Sequence, residues 1–154
     1  MSDNRNSVKR VASITLVVGG KIKGSPEEVI IKNYQKRIKW PLKTIELKTS
    51  MVNPETVLEK TMQSAALWIA LDENGENLNS VEFSSLVSHS LEQHTHIGFI
   101  IGIDTGIPKK ISDKCYKKIS FGRMTWPHLL ARVLLIEQLY RAQQIMIGHP
   151  YHKA

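Results

Sequence analysis

Cys115 is the only cysteine in this chain of 154 residues, so neither an internal disulfide nor a cysteine-based zinc cluster can form. Its surroundings, DKCYKK, supply no recognisable histidine or asparagine partner, which points to a structural thiol and not a nucleophile. Long hydrophobic runs are missing too. None approaches the roughly 20 residues that a membrane-spanning helix needs, and MSDNRNSVKR lacks the apolar stretch of a signal peptide. We therefore expect a cytoplasmic protein with no membrane contact, its residues 1–8 forming a loose leader. Neither G-x-G-x-x-G nor G-x-x-x-x-G-K-[ST] occurs, so both common nucleotide-phosphate loops are excluded. The histidines fall partly in pairs, His94 with His96 and His149 with His152. No acidic or cysteine ligand is spaced to complete a site around either pair, and no metal is expected.

What is present is ordinary globular material: 42% hydrophobic and 23% charged residues, which suits one domain spanning residues 1–154. The charge is not balanced. Lys and Arg number 21 against 14 Asp and Glu, a formal +7 that favours polyanionic partners through salt-sensitive, steered association. A small basic protein that never touches nucleic acid fits the composition equally well.

Hydrophobic patterning alternates between strand-like and helix-like segments. VASITLVV, residues 11–18, is a short β-branched run that ends at Gly19-Gly20. SPEEVIIKNYQKRIK predicts a helix with Ser25 as N-cap, Pro26 at the first position and Glu28 completing a capping box. KTIEL predicts a strand, Asn53-Pro54 opens a helix through about Ser64, and ALWIAL, residues 66–71, predicts a strand followed by a DENGEN turn. A third helix starts at Asn79 or Ser80, with Phe83, Leu86, Val87 and Leu91 on one face. IGFIIG, residues 97–102, predicts a strand, IDTGIPKK a loop, ISDKCYKK a short helix and KISF a fifth strand. The last helix, residues 127–147, is apolar over so wide an arc that it needs cover on two sides, which suggests dimerisation through it. Strands this apolar have no wet face. The economical fold is α/β, a mainly parallel sheet with helices on both faces.

In such sheets ligands sit beyond the carboxyl ends of the strands, which singles out LDENGEN, GIDTG and FGRMTWP. His128 begins a helix directly after the third of these loops, where an anion is favoured and where a capping or packed imidazole is equally natural. Arg132 and Arg141 lie on a helix crowded with aliphatic residues, and an inward-facing arginine requires a carboxylate or phosphate. Glu137 is placed at i, i+4 for Arg141, whereas Arg132 has no such partner within its helix. The terminus, GHPYHKA, carries imidazoles, a tyrosine and a proline, too much rigid and aromatic material for a frayed end.

Taken together, FGRMTWPHLLARVLLIEQLYRAQQIMIGHPYHKA, LVVGGKIK, IALDENGENLNSVEF and IIGIDTGI resemble, in order and over nearly the whole chain, the RlmH family. These are SPOUT-superfamily enzymes that methylate N3 of a pseudouridine in 23S rRNA of the assembled bacterial ribosome. The resemblance implies a C-terminal trefoil knot, S-adenosylmethionine as cofactor, and a homodimer whose two subunits complete each site. It implies cofactor contacts at Leu71, Gly102, Phe121, Gly122, Arg123, Met124, Thr125 and Trp126. For the N3 proton the candidates are His128, Arg132 and His152, with Arg141, His149 and Tyr151 on the RNA side. One position departs from the family pattern. Where I-G-G-x-x-G is usual, Ile103 replaces the second glycine and would obstruct a close cofactor approach. Two other classes stay open on the residues alone: a catalytically impaired RNA- or ribosome-binding dimer, and a flavodoxin-like small-molecule binder.

Overall fold

The computed structural model describes residues 11–48, 53–101 and 106–153. In chain order the elements are β1 (Ser13–Gly19), α1 (Glu27–Arg37), β2 (Leu42–Leu47), α2 (Pro54–Met62), β3 (Leu67–Asn77), α3 (Ser80–Gln93), β4 (His96–Ile101), α4 (Lys109–Ser112), β5 (Lys117–Ser120) and α5 (His128–Met146). The strands form one sheet in the order β2-β1-β4-β3-β5, and every neighbouring pair is parallel.

Alternation along each strand sends side chains to two apolar layers. Ile14, Leu16 and Val18 of β1 and Ile97, Phe99 and Ile101 of β4 face Ile31 of α1, Phe83 and Val87 of α3, and Leu135 and Leu139 of α5. Val17, Trp68 and Ile100 face the other way, toward Leu58 of α2 and Ile111 of α4. The expected fold class is therefore observed, helices on both faces included. Gly98 makes the second layer possible, because the Trp68 ring lies where a side chain at its register partner would be. Helix α5 is buried around much of its circumference, from Arg132 through Leu135, Ile136 and Leu139 to Gln144. Gln143 ties it to the end of α1: its side chain accepts from the Lys39 amide at 2.6 Å and donates to the Arg37 carbonyl at 3.0 Å.

Three local expectations are corrected. At α1 the Ser25 hydroxyl donates back to the Ile22 carbonyl and does not cap, while the Glu28 carboxylate accepts from the Gly24 amide at 2.7 Å. The helix starts at Glu27, so Pro26 takes the N-cap position and has no side-chain acceptor to offer. The DENGEN turn lies inside a longer strand: β3 runs to Asn77, and both Leu71 and Glu76 pair with Ile119, so residues 72–75 loop out between them. Helix α4 begins at Lys109, earlier than ISDKCYKK predicts, because Pro108 presets its entry. At α3 the expectation holds, with Asn79 and Glu82 forming a reciprocal capping box.

Candidate functional site

The carboxyl ends of β3, β4 and β5 converge on a cavity of about 510 Å³. Leu71, Asp72, Glu73 and Asn74 line it from the β3 excursion, Ile101, Gly106 and Ile107 from the β4 side, and Phe121, Gly122, Met124, Thr125 and Trp126 from the loop after β5. The excursion and the β5 loop are cross-linked. The Thr125 hydroxyl donates to Glu73 Oε2 at 3.0 Å, and the Ser120 hydroxyl lies 3.4 Å from the Glu73 carbonyl while donating to the Gly122 carbonyl at 2.6 Å. Gly122 turns the chain with φ at 108°, a conformation that a side chain would strain. Asp72 Oδ1 accepts from the Asn74 amide at 2.9 Å and shapes the tip of the excursion.

Six of the eight residues expected around the cofactor thus line one cavity. Arg123 sits in the same loop without lining it, and Gly102 lies outside the described residues, as does Ile103. A second cavity, about 550 Å³, lies on the other side of the Phe121–Gly122–Trp126 wall and is lined by Asn77, Ser80, Phe83, Leu134 and Gln138 among others. It is marginally larger, yet it touches neither Leu71 nor the end of β4. The smaller cavity is the one set at the strand ends, where open parallel sheets place ligands.

None of His128, Arg132, Arg141, His149, Tyr151 and His152 lines either cavity. They form two groups along α5. At its start, His128 packs over Gly20, whose missing side chain leaves room for the ring: a Cβ there would come within 2.7 Å of His128 Nε2. One turn on, Arg132 is buried, with its side chain 5% exposed, and donates to Glu46 Oε2 at 2.8 Å. The same oxygen accepts from the Ile22 amide at 2.7 Å. Burial raises the Glu46 carboxyl pKa, but the bonds from Arg132 and Ile22 and the nearby positive charges outweigh this and hold it below the usual range. Glu46 is the residue that sequence reasoning missed. The only signal was indirect, an arginine on an apolar helix with no partner of its own.

The second group anchors the tail, as the composition of GHPYHKA anticipates. The His149 amide donates to the Gln144 carbonyl at 2.9 Å, and Tyr151 packs edge-on against Tyr140 with centroids 4.8 Å apart. The Tyr151 hydroxyl donates to Glu137 Oε1 at 3.0 Å, where Arg141 Nη2 also donates at 2.6 Å. Arg141 Nη1 lies 3.2 Å from His152 Nδ1, which accepts only while that nitrogen carries no proton. Burial, then the Tyr34 and Glu137 partners, push the Tyr151 phenol well above its ordinary value. Tyr34 and Arg37 were not anticipated: the Arg37 guanidinium covers both the Tyr34 and Tyr140 rings, at 4.8 and 4.5 Å.

A family model described as "Predicted SPOUT methyltransferase" matches residues 12–152. The chain belongs to the SPOUT methyltransferase family. Among its curated relatives, the protein of Paramagnetospirillum magneticum named ribosomal RNA large subunit methyltransferase H is 36% identical, over 87% of this chain and 94% of that one. Its namesake in Erythrobacter litoralis is also 36% identical, over 90% of this chain and 96% of that one. A solved structure titled as a probable methyltransferase from Bordetella pertussis Tohama I shares the fold, with a TM-score of 0.55 at 10% identity over 86% of this chain and 97% of that one. As a SPOUT methyltransferase the chain is an enzyme of methyl transfer, and no helix among its described residues is long and apolar enough to cross a membrane.

Proposed function

We propose that this SPOUT methyltransferase transfers a methyl group from S-adenosylmethionine to N3 of a pseudouridine in 23S rRNA of the assembled ribosome, in the cytoplasm. The observation that carries the proposal is the cavity of about 510 Å³ that gathers Leu71, Phe121, Gly122, Met124, Thr125 and Trp126 at the carboxyl ends of parallel strands. Its volume falls within the range of small-molecule sites, roughly 300–1,000 Å³, and its lining combines apolar side chains with Asp72, Glu73, Asn74, Ser120 and Thr125. The names of the curated relatives supply the ribosomal RNA substrate, and the formal +7 charge supports a polyanionic one.

S-adenosylmethionine bound there would supply an electrophilic methyl carbon on a sulfonium. Leu71 and the Phe121–Trp126 loop hold and orient the donor, and the apolar walls exclude competing water. The nucleophilic N3 must lose its proton: His128 and His152 are the proposed bases and Arg132 the proposed cation favouring the deprotonated ring, with Arg141, His149 and Tyr151 holding RNA phosphate or ribose. No histidine or arginine lines the cavity among the described residues. That arrangement favours a homodimer in which α5 and the tail of one copy complete the cavity of the other. A single domain with the C-terminal trefoil knot expected of the family completes the proposed architecture.

The test is transfer of labelled methyl to ribosomes that lack the modification. Loss of transfer in the double variant His128→Ala/His152→Ala, with donor binding retained, is the expected result. Full activity in that variant removes both proton-transfer roles. One sequence feature favours a second reading, a catalytically impaired ribosome-binding dimer: Ile103 stands where the family resemblance leads one to expect glycine. Titration calorimetry with S-adenosylmethionine separates the two, since the impaired form binds ribosomes but takes up no donor.

A further inference from the structure

We infer that Asp72 and Glu73 make the cavity selective for a cationic ligand, so that it discriminates the charged methyl donor from the neutral thioether left after transfer. The inference rests on the reading of this cavity as the donor site. In a chain of formal +7 charge the cavity is lined by two carboxylates, Asp72 and Glu73, and by no Lys, Arg or His among the described residues. The local field is therefore opposite in sign to that of the molecule as a whole. Both carboxylates are held in place by one oxygen, Glu73 by the Thr125 hydroxyl at 3.0 Å and Asp72 by the Asn74 amide at 2.9 Å. Among the described residues the second oxygen of each makes no hydrogen bond, and no salt bridge neutralises either group.

The chemistry that such a pair recognises is a fixed positive charge next to apolar surface. Methyl transfer abolishes that charge: the bond from sulfur to the methyl carbon breaks, its electron pair stays on sulfur, and the sulfonium becomes a thioether. Attraction to Asp72 and Glu73 thus falls at the moment of reaction, which weakens the hold on the product without any conformational change.

The test is calorimetric titration of the whole chain with three probes: S-adenosylmethionine, the neutral S-adenosylhomocysteine, and sinefungin, which carries an ammonium in place of the sulfonium methyl. Each is titrated into the unaltered protein and into Asp72→Asn/Glu73→Gln, whose amide oxygens can still accept from the Asn74 amide and the Thr125 hydroxyl. The expected result is a loss of about three- to tenfold for the two cationic probes and little change for the neutral one, because partly exposed charges interact through a screened field. Equal losses for all three probes, or no loss for any, overturn the charge selectivity while leaving the donor site intact. If the unaltered protein binds none of the three, the donor-site reading itself fails and takes this inference with it. Should the double variant not fold, Asp72→Asn alone gives the same contrast between charged and neutral probes.

Discussion

Glu46 and Arg132 are 86 residues apart in sequence and 2.8 Å apart in the fold. The arginine end of the pair is fully enclosed and the carboxylate end is 32% exposed, so loss of the carboxylate leaves a guanidinium charge buried without compensation. Glu46→Gln keeps an acceptor for the Ile22 amide and removes the charge. We expect it to lower stability by about 1–3 kcal/mol at neutral pH in urea unfolding. The pH dependence follows from linkage. The folded carboxyl titrates below its ordinary value of 4.5, so the unfolded chain binds the proton more readily. The pair's contribution is complete above about pH 4.5 and is lost as pH falls through the depressed value. The stability curves of the two proteins should therefore converge in acid, and a gap that stays constant down to pH 3 would show that charge is not the cause. Sequence reasoning reached Arg132 and the need for a partner. It could not reach Glu46, because nothing local in KTIEL marks that glutamate as the one facing α5.

The element least legible in the sequence is the β3 excursion. DENGEN has the composition of a turn, and residues 72–75 do loop out, but pairing resumes on the same strand at Glu76. Tertiary context decides this, since β5 supplies the partner and arrives only after α3, β4 and α4 along the chain. Gly75 is where the excursion closes back on β5: a Cβ there would lie 2.7–2.8 Å from the Ile119 backbone. Those are main-chain atoms of the strand that β3 pairs with, which cannot step aside as a flexible side chain could. Gly75→Ala should therefore lift the excursion off β5, loosen the Glu73–Thr125 hydrogen bond and widen the cavity. The expected readout is a drop of roughly tenfold or more in S-adenosylmethionine affinity with a fall in thermal midpoint of a few degrees. Unchanged affinity would mean that the excursion does not form a wall of the donor site. By contrast, the strands of the sheet interior were legible, because VASITLVV, ALWIAL and IGFIIG are apolar at nearly every position a doubly covered strand must bury; Thr15 is the buried polar exception, its hydroxyl 2.8 Å from His96 Nε2.

At the scale of the molecule, one group of exposed apolar residues surrounds the loop after β5. Met124 is 76% exposed, Trp126 43%, Leu130 42% and, in the first turn of α3, Val81 48%. Trp126 lines both cavities, and Ser80, next to Val81, lines the second, so these residues flank one region. Of these four exposed residues only Leu130 lies on α5, the helix whose wide apolar arc suggested dimerisation; much of that arc is buried within the chain itself. Which residues stay uncovered could be known only once α1 and α3 were seen packed on α5. If a second copy covers this surface about a two-fold axis, one substitution is felt twice in the interface. Leu130→Arg places a charge there without touching the residues proposed for donor or RNA. Its expected effects are a rise of about tenfold or more in the dimer dissociation constant by sedimentation equilibrium, and loss of methyl transfer at concentrations where the chain becomes monomeric. The thermal midpoint at high protein concentration should change little, because Leu130 is not part of the chain's own core. A dimer of unaltered affinity in that variant would place the two-fold contact elsewhere. The cavity would then have to draw its missing histidine or arginine from the same copy.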